Sequence, residues 1–365
     1  MIVTEYYNQQ LEVRGYKSDS AQLIAVNALD HCAGQWSKYQ EKNSSRFKKL
    51  FKRPIIPRGV YLYGGVGRGK SFLMDCFFES VIVKRKTRLH FHEFMREVHF
   101  ELGRLSGYAN PLEILAKNIS KKFKLICFDE FHISDITDAM ILHRLLEALF
   151  NNDVGFVTTS NFKPDELYPN GLHRTRIFPA IDLLNNNLDV INVDGGIDYR
   201  LATLQQLDLY LYPVSGHTHD LMNLAFNRLS ESSDDEPVIE VESRKIRVLR
   251  RAGGVIWFDF KSLCGGPRSQ NDYLEIASLF HTVLLSDVPK MSKSQSSEAR
   301  RFTWLIDVLY DRRVKLMMSA ETSAKELYLE GPLAHEFPRT VSRLSEMQSE
   351  EFLALDRRSV NTLIT

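Results

Sequence analysis

The sequence predicts an α/β fold in which a parallel sheet is covered by helices, and three observations carry that expectation. From Gly59 onward, short and continuously apolar segments alternate with helical ones, the pattern of strands buried on both faces. The first of these strands runs into a glycine-rich loop that opens a helix, in "GVYLYGGVGRGKSFLMD" (59–75). A later one, "FKLICFDE" (123–130), stays largely apolar up to a terminal Asp129 and Glu130.

Taken in order, residues 18–40 place Ile24, Ala25, Ala28, Leu29, Cys32 and Trp36 at helical spacing behind capping-type residues. The basic stretch "RFKKLFKRPIIP" (46–57) reads as a solvated linker, so residues 1–58 form an N-terminal helical segment and linker. Residues 59–202 form the core. Its strands are "GVYLYGG", "RLHFHEF", "FKLICFDE", "VGFVTTSN" and "LDVINVD", and its helices "KSFLMDCFFESV", "FMREVHFELGRL" and "DAMILHRLLEALF". The pattern then breaks at the acidic loop "SESSDDEP" (230–237), and "VIEVESRKIRVLRRAGGVIWFDF" (238–260) is rich in strand-forming residues around a hairpin-like centre. Residues 203–260 are therefore a linker and β-rich insertion, and 261–365 a C-terminal α/β and helical region. In that last region "TVLLSDV", "RRFTWLIDVLYD" and "VKLMMSA" repeat the order strand, helix, strand of residues 126–171, down to a closing "ELY..G". A degenerate repeat and general α/β patterning both account for this likeness. Along the repeat Asp287 matches Asp129 but lacks the following glutamate, and Ala320 matches Asn161.

Composition narrows the function classes. The chain of 365 residues suits two or three domains, and 44% hydrophobic with 25% charged residues is the profile of a globular protein. A net charge of +1 supplies no global field for nucleic acid or anionic lipid. Cys32, Cys76, Cys127 and Cys264 are scattered without a C-x-x-C pair, against a disulfide framework or thiolate zinc site. No leader-like N-terminus and no run of roughly 18 apolar residues is present, and the expectation is a cytoplasmic protein.

The loop Gly64-Gly65-Val66-Gly67-Arg68-Gly69-Lys70-Ser71 fits G-x-x-x-x-G-K-[ST]. Its glycines let backbone N–H groups close around phosphate oxygens, and the next helix adds its positive dipole end. Lys70 is expected on the β- and γ-phosphates of ATP, and Ser71 on Mg²⁺. Asp129 is the second expected Mg²⁺ ligand, Glu130 the residue that polarises the attacking water, and Asn161 a group orienting that water. These residues make a P-loop NTPase core, and one strand between the loop strand and the Asp-Glu strand is AAA+-like. The absence of N-K-x-D disfavours guanine recognition.

Arg174 in "NGLHRTRIFP" is the expected arginine finger, with Arg176 as competitor and a surface charge as the alternative. Arg339 and Arg343 in "FPRTVSRL" are either a second phosphate contact or helix-surface charges. His90, His92 and His99 suggest a metal, but no carboxylate or cysteine completes a set, so polar-network roles are expected. Phe91, Phe94 and Phe100 are expected in the core.

Beyond the loop, "YLYGGVGRGKS", "HFHEFMREVH", "CFDEFHISDITDAM", "TTSNFKPDELYPNGL", "DYRLATL", "FHTVLLSDVP", "RFTWLIDVLYDRRVKL" and "FPRTVSRLSEMQS" together resemble the ZapE family of bacterial cell-division ATPases and its mitochondrial relatives. The resemblance spans almost the whole chain. It implies a cytoplasmic ATPase acting on the tubulin-like division-ring protein (FtsZ), peripheral to the inner membrane at the division site. A nucleotide-promoted homo-oligomer goes with the AAA+ arrangement, and nucleic acid is not an expected partner. His132, where glutamine is expected, and "GGPRS" (265–269), where a proline-leucine-glycine turn is expected, depart from the pattern. Two rival functions remain: a helicase-loader-like ATPase, for which only "RFKKLFKR" and "RKIRVLRR" supply basic surface, and a nucleotide-gated adaptor with little turnover.

Overall fold

The computed structural model describes residues 2–14, 18–44, 55–65, 67–133, 136–169, 173–195, 199–230, 237–242 and 244–358. The chain divides into two units, residues 1–197 and 198–365, rather than into the four segments expected.

Unit 1 begins with helices α1 (Ile2–Arg14) and α2 (Ser20–Ser44). There follow β1 (Gly59–Tyr63), α3 (Lys70–Ser80), β2 (Lys86–His90), α4 (Phe91–Arg104), α5 (Pro111–Lys122) and β3 (Leu125–Asp129). Next come α6 (Ile136–Asn151), β4 (Gly155–Ser160), α7 (Phe178–Asn187) and β5 (Leu188–Asn192). The five strands are parallel in the order β2-β3-β4-β1-β5, so β4 is the one strand between β1 and β3. Alternate residues feed opposite faces, as the period of two requires. Val60, Leu62, Leu125 and Cys127 join the core under α1, α2 and α3. Tyr61, Ile126 and Phe128 join the core under α4, α5, α6 and α7.

The N-terminal segment belongs to this unit because Val3, Tyr7, Leu29 and Trp36 are buried in the same core as β1 and α3. Trp36 lies where a Cβ on Gly155 would stand 2.5 Å from its ring, so the helix is fitted to a bare spot on β4. Within α2, Ala25, Leu29, Cys32 and Trp36 are buried as expected, whereas Ile24 is exposed and Val26 is buried instead. The expected strand "RLHFHEF" stops at His90, and Phe91 and Phe94 enter the core from α4. Phe100, expected in the core, is 67% exposed and carries Arg104 over its ring. The linker residues 46–54 and the acidic loop 231–236 lie outside the described residues.

Unit 2 contains α8 (Tyr199–Leu204), β6 (Tyr210–Leu211), α9 (Gly216–Leu229), β7 (Val238–Val241), β8 (Arg244–Arg247), β9 (Arg250–Ala252) and β10 (Val255–Asp259). It continues with α10 (Gln270–Leu279), β11 (Thr282–Val288), α11 (Ser296–Asp311), β12 (Lys315–Ala320), α12 (Phe337–Glu346) and α13 (Glu350–Ala354). β7 and β8 pair as a separate ribbon, whereas β9 and β10 enter a five-stranded sheet in the order β6-β12-β11-β10-β9. Residues 250–252 and 255–259, expected in the β-rich insertion, are thus members of this sheet.

Four strands of the two sheets match: β10-β11-β12-β6 repeats β2-β3-β4-β1, whereas β9 flanks β10 antiparallel and β5 flanks β1. Local features coincide too. Glu130 (φ 52°) and Asp287 (φ 61°) are both left-handed, and their N–H groups donate to Thr159 Oγ1 (3.2 Å) and Ser319 Oγ (3.1 Å). Tyr61 and Tyr210 donate their hydroxyls to the carbonyls of Phe162 and Thr322, each at 2.9 Å. Such idiosyncratic agreement favours a degenerate repeat over general patterning. It also shifts the expected match by one residue: Ser286 stands at the place of Asp129, Asp287 at Glu130, and Glu321 at Asn161.

Candidate active site

The strand order sets the carboxyl ends of β1, β4 and β3 side by side, so the glycine loop and the Asp-Glu pair open on one edge of the sheet. In the loop, Gly67 and Gly69 have φ of 75° and 76°, a region costly for any residue with a Cβ. No side chain caps α3. A Cβ on Gly69 would also lie 2.8 Å from Gln22 Nε2, and that amide, held by the Tyr7 hydroxyl, donates to the Arg68 carbonyl at 3.3 Å. Arg68 pairs with Asp194 after β5 at 2.9 Å. Val66 lies outside the described residues.

Lys70 is buried, and its ammonium donates to the carbonyls of Gly64 (2.9 Å) and Gly65 (2.6 Å). Ser71 is the second residue of α3. Asp129 ends β3, buried, and its carboxylate accepts from Arg88 of β2, Nε to Oδ2 at 2.5 Å and Nη2 to Oδ1 at 3.2 Å. Arg88 also donates to Asp75 of α3 and, at 3.4 Å, to the Ser71 carbonyl. Burial alone would make this guanidinium easier to deprotonate, but Asp129 and Asp75 outweigh it and hold the charge more firmly than usual. Thr159 of β4 donates to Asp129 Oδ1 at 3.5 Å and takes the Glu130 N–H, so one hydroxyl sets both acidic residues. Glu130 is half-buried in its left-handed turn, a conformation kept only where surroundings impose it. Asn161 is exposed just past β4.

Lys70, Ser71, Asp129, Glu130 and Asn161 are therefore on the same sheet edge, as expected. Arg174 stands in a 3-10 turn, Arg174–Ile177, after β4, where it donates to the Asp165 carbonyl at 2.5 Å and lies over the Phe178 ring; Arg176 is exposed. Arg343 is in unit 2, held by Asp307 and Asp311 of α11 and the Tyr310 ring, and Arg339 is largely exposed, 3.9 Å from Asp307. His99 pairs with Asp138 at 2.7 Å, and His132 stacks on Phe162. Sequence reasoning missed Arg88, Asp75, Thr159 and Gln22. Arg88 alone carried a signal, as a cation within a strand next to the Asp-Glu strand.

The residues fit ATP and Mg²⁺. Left-handed Gly67 and Gly69 keep the loop backbone bare, Lys70 is held against the loop carbonyls of Gly64 and Gly65, and the oxygen donors Ser71 and Asp129 suit a hard cation.

Residues 1–356 match a family model described as AFG1-like ATPase. The chain is 48% identical over 297 residues to the cell division protein ZapE of Escherichia coli (strain K12), covering 81% of this chain and 79% of that one. It is 36% identical over 365 residues to an uncharacterised protein of Schizosaccharomyces pombe (90% and 80% covered). With the lactation elevated protein 1 homolog B of Danio rerio it shares 35% identity over 391 residues (94% and 76% covered).

Proposed function

The chain belongs to the AFG1-like ATPase family and hydrolyses ATP, and from that premise we propose that unit 1 couples Mg²⁺-dependent hydrolysis to remodelling of a protein partner in cell division. The observation that carries this reading is the shared sheet edge of the loop, Lys70, Asp129 and Glu130. The N–H groups of the loop and of the first turn of α3 face the phosphates. Lys70 exchanges the Gly64 and Gly65 carbonyls for β- and γ-phosphate oxygens. Bound Mg²⁺, held by Ser71 and Asp129, supplies charge that offsets the phosphates. Glu130 takes the proton of the attacking water, and Asn161 orients that water. Arg174, released from Asp165, completes a neighbouring subunit's site in a nucleotide-promoted homo-oligomer.

The bacterial relative's name gives cell division only; the family resemblance of the sequence suggests the partner, the tubulin-like division-ring protein, met at the inner-membrane periphery. Among the described residues no helix is long and apolar enough to cross a membrane. The test is ATP-dependent co-sedimentation with purified division-ring polymer. Co-pelleting with ATP and not with ADP is expected; no co-pelleting with either nucleotide would remove this partner. The nucleic-acid reading loses ground because Arg244 is bonded to Asp272 and Arg250 lies over Phe226, which occupies part of "RKIRVLRR". DNA binding that falls steeply with salt would restore it.

A further inference from the structure

Resting on the nucleotide-site reading above, we infer that Arg88 is a positioning residue, a built-in counter-cation that ties Asp129 to Asp75 before any divalent cation arrives. Its guanidinium grips Asp129 through two nitrogens and Asp75 through the third, and all three side chains are at most 14% exposed. A planar fork suits this task because it matches two carboxylates at fixed angles, which an ammonium cannot do. One cation faces two anions, so the cluster stays net negative and a second positive charge remains welcome beside Asp129. The contact also joins β2, β3 and the loop helix α3, since Nη2 reaches the Ser71 carbonyl.

The decayed copy supplies independent support. By strand register, His90 pairs with Asp129 and Asp259 with Ser286, which sets Trp257 at the place of Arg88. Matching "LMD" (73–75) to "LMN" (221–223) sets Asn223 at the place of Asp75. The three matched positions have changed together, as expected of residues that serve one purpose, and Arg250 of β9 instead donates to Asn223 Oδ1 at 3.4 Å.

The test is thermal denaturation without nucleotide, with and without millimolar Mg²⁺. Wild type should respond little, because Arg88 already bridges the two carboxylates. Arg88→Gln leaves two desolvated carboxylates facing each other, so its lower Tm should rise by several degrees with Mg²⁺. Adding Asp75→Asn should abolish that rise, and Arg88→Lys should respond less than Arg88→Gln. A folded Arg88→Gln protein indifferent to Mg²⁺, or a wild type that responds equally, overturns the proposal. Should Arg88→Gln not fold, Asp75→Asn alone decides. It gives Asp129 the whole guanidinium and should raise the Mg²⁺ needed for half-maximal binding of a fluorescent ATP analogue severalfold; an unchanged requirement overturns the proposal. The Tm readout needs no nucleotide, so it stands apart from failure of the ATPase reading.

A different observation assigns unit 2 as a copy that has lost its nucleotide. Where unit 1 has an uncapped α3 behind glycines, α9 is closed by its own side chains. Ser215 Oγ accepts from the Thr218 N–H (3.2 Å), and Thr218 Oγ1 accepts from the Ser215 N–H (2.9 Å). Pro213 and Ser215 stand in place of loop glycines, Thr218 in place of Lys70, and Ser286 in place of Asp129. Equilibrium dialysis with an ATP analogue should count one site per chain, and a photoreactive analogue should label residues 60–75 and not 210–220. Two sites, or label at 210–220, overturns the assignment.

Discussion

At the scale of single residues, the proposed site separates groups assigned to nucleotide from groups that hold the fold. Lys70→Ala removes hydrogen bonds to the Gly64 and Gly65 carbonyls and leaves the hydrophobic core under α3 intact, so the variant should fold and fail to bind ATP. Dialysis against ATP together with a thermal melt checks both halves. Glu130→Gln keeps the shape of the side chain and loses the base; kcat should fall by about 10²- to 10⁴-fold with ATP still bound. Steady-state turnover and filter binding measure it. Asp129→Asn differs, because the buried Arg88 then keeps a single carboxylate, Asp75. Besides weaker Mg²⁺-dependent binding, it should cost about 1–3 kcal/mol of stability, which a denaturant titration reads. Glu130→Gln should cost nothing comparable, since its side chain makes no such pair.

Elements show why the N-terminal helices belong with the catalytic sheet. β4 carries a glycine at residue 155 because the Trp36 ring of α2 occupies the Cβ position, and the same α2 sends Gln22 to the Arg68 carbonyl. Helix and loop are thus set by one contact surface. Gly155→Ala must push the ring away or bend the strand, an overpacking cost of about 1–3 kcal/mol. The expected signs are a lowered denaturation midpoint and altered tryptophan fluorescence. Strands β1, β3, β4 and β5 were legible from their apolar runs. Helices α1, α5 and α7 escaped notice because no motif marked them, and the Phe91–Phe94 segment read as strand because alternation holds over its few residues.

The whole molecule raises assembly. An Arg174→Ala subunit would keep a sound pocket, and a Lys70→Ala subunit would keep a sound arginine. Each should be inactive alone, the first by about 10³- to 10⁵-fold if the arginine acts as fingers do in P-loop enzymes. Mixed, they should recover part of the activity, and only at concentrations that support assembly. Turnover of mixtures across a dilution series is the measurement. No recovery in mixtures shown to co-assemble would move the role to exposed Arg176, and full activity of Arg174→Ala would leave Arg174 to its contacts with Asp165 and Phe178.

By itself the sequence determined the chemistry that local spacing can encode: eight loop residues, a terminal Asp-Glu pair, and strands read from continuous apolar runs. These are short-range signals, because backbone approach to phosphate and burial on both faces restrict neighbouring residues directly. Only the tertiary structure decided the rest. Asp75 and Asp129 are 54 residues apart in the numbering and meet on Arg88 through helix–sheet packing. The division into two units depends on which core each helix joins. The repeat's register turned on a single residue, since a slip of one exchanges the faces of a strand while leaving its apolar content unchanged, and only hydrogen-bonded partners such as Glu130–Thr159 and Asp287–Ser319 reveal it.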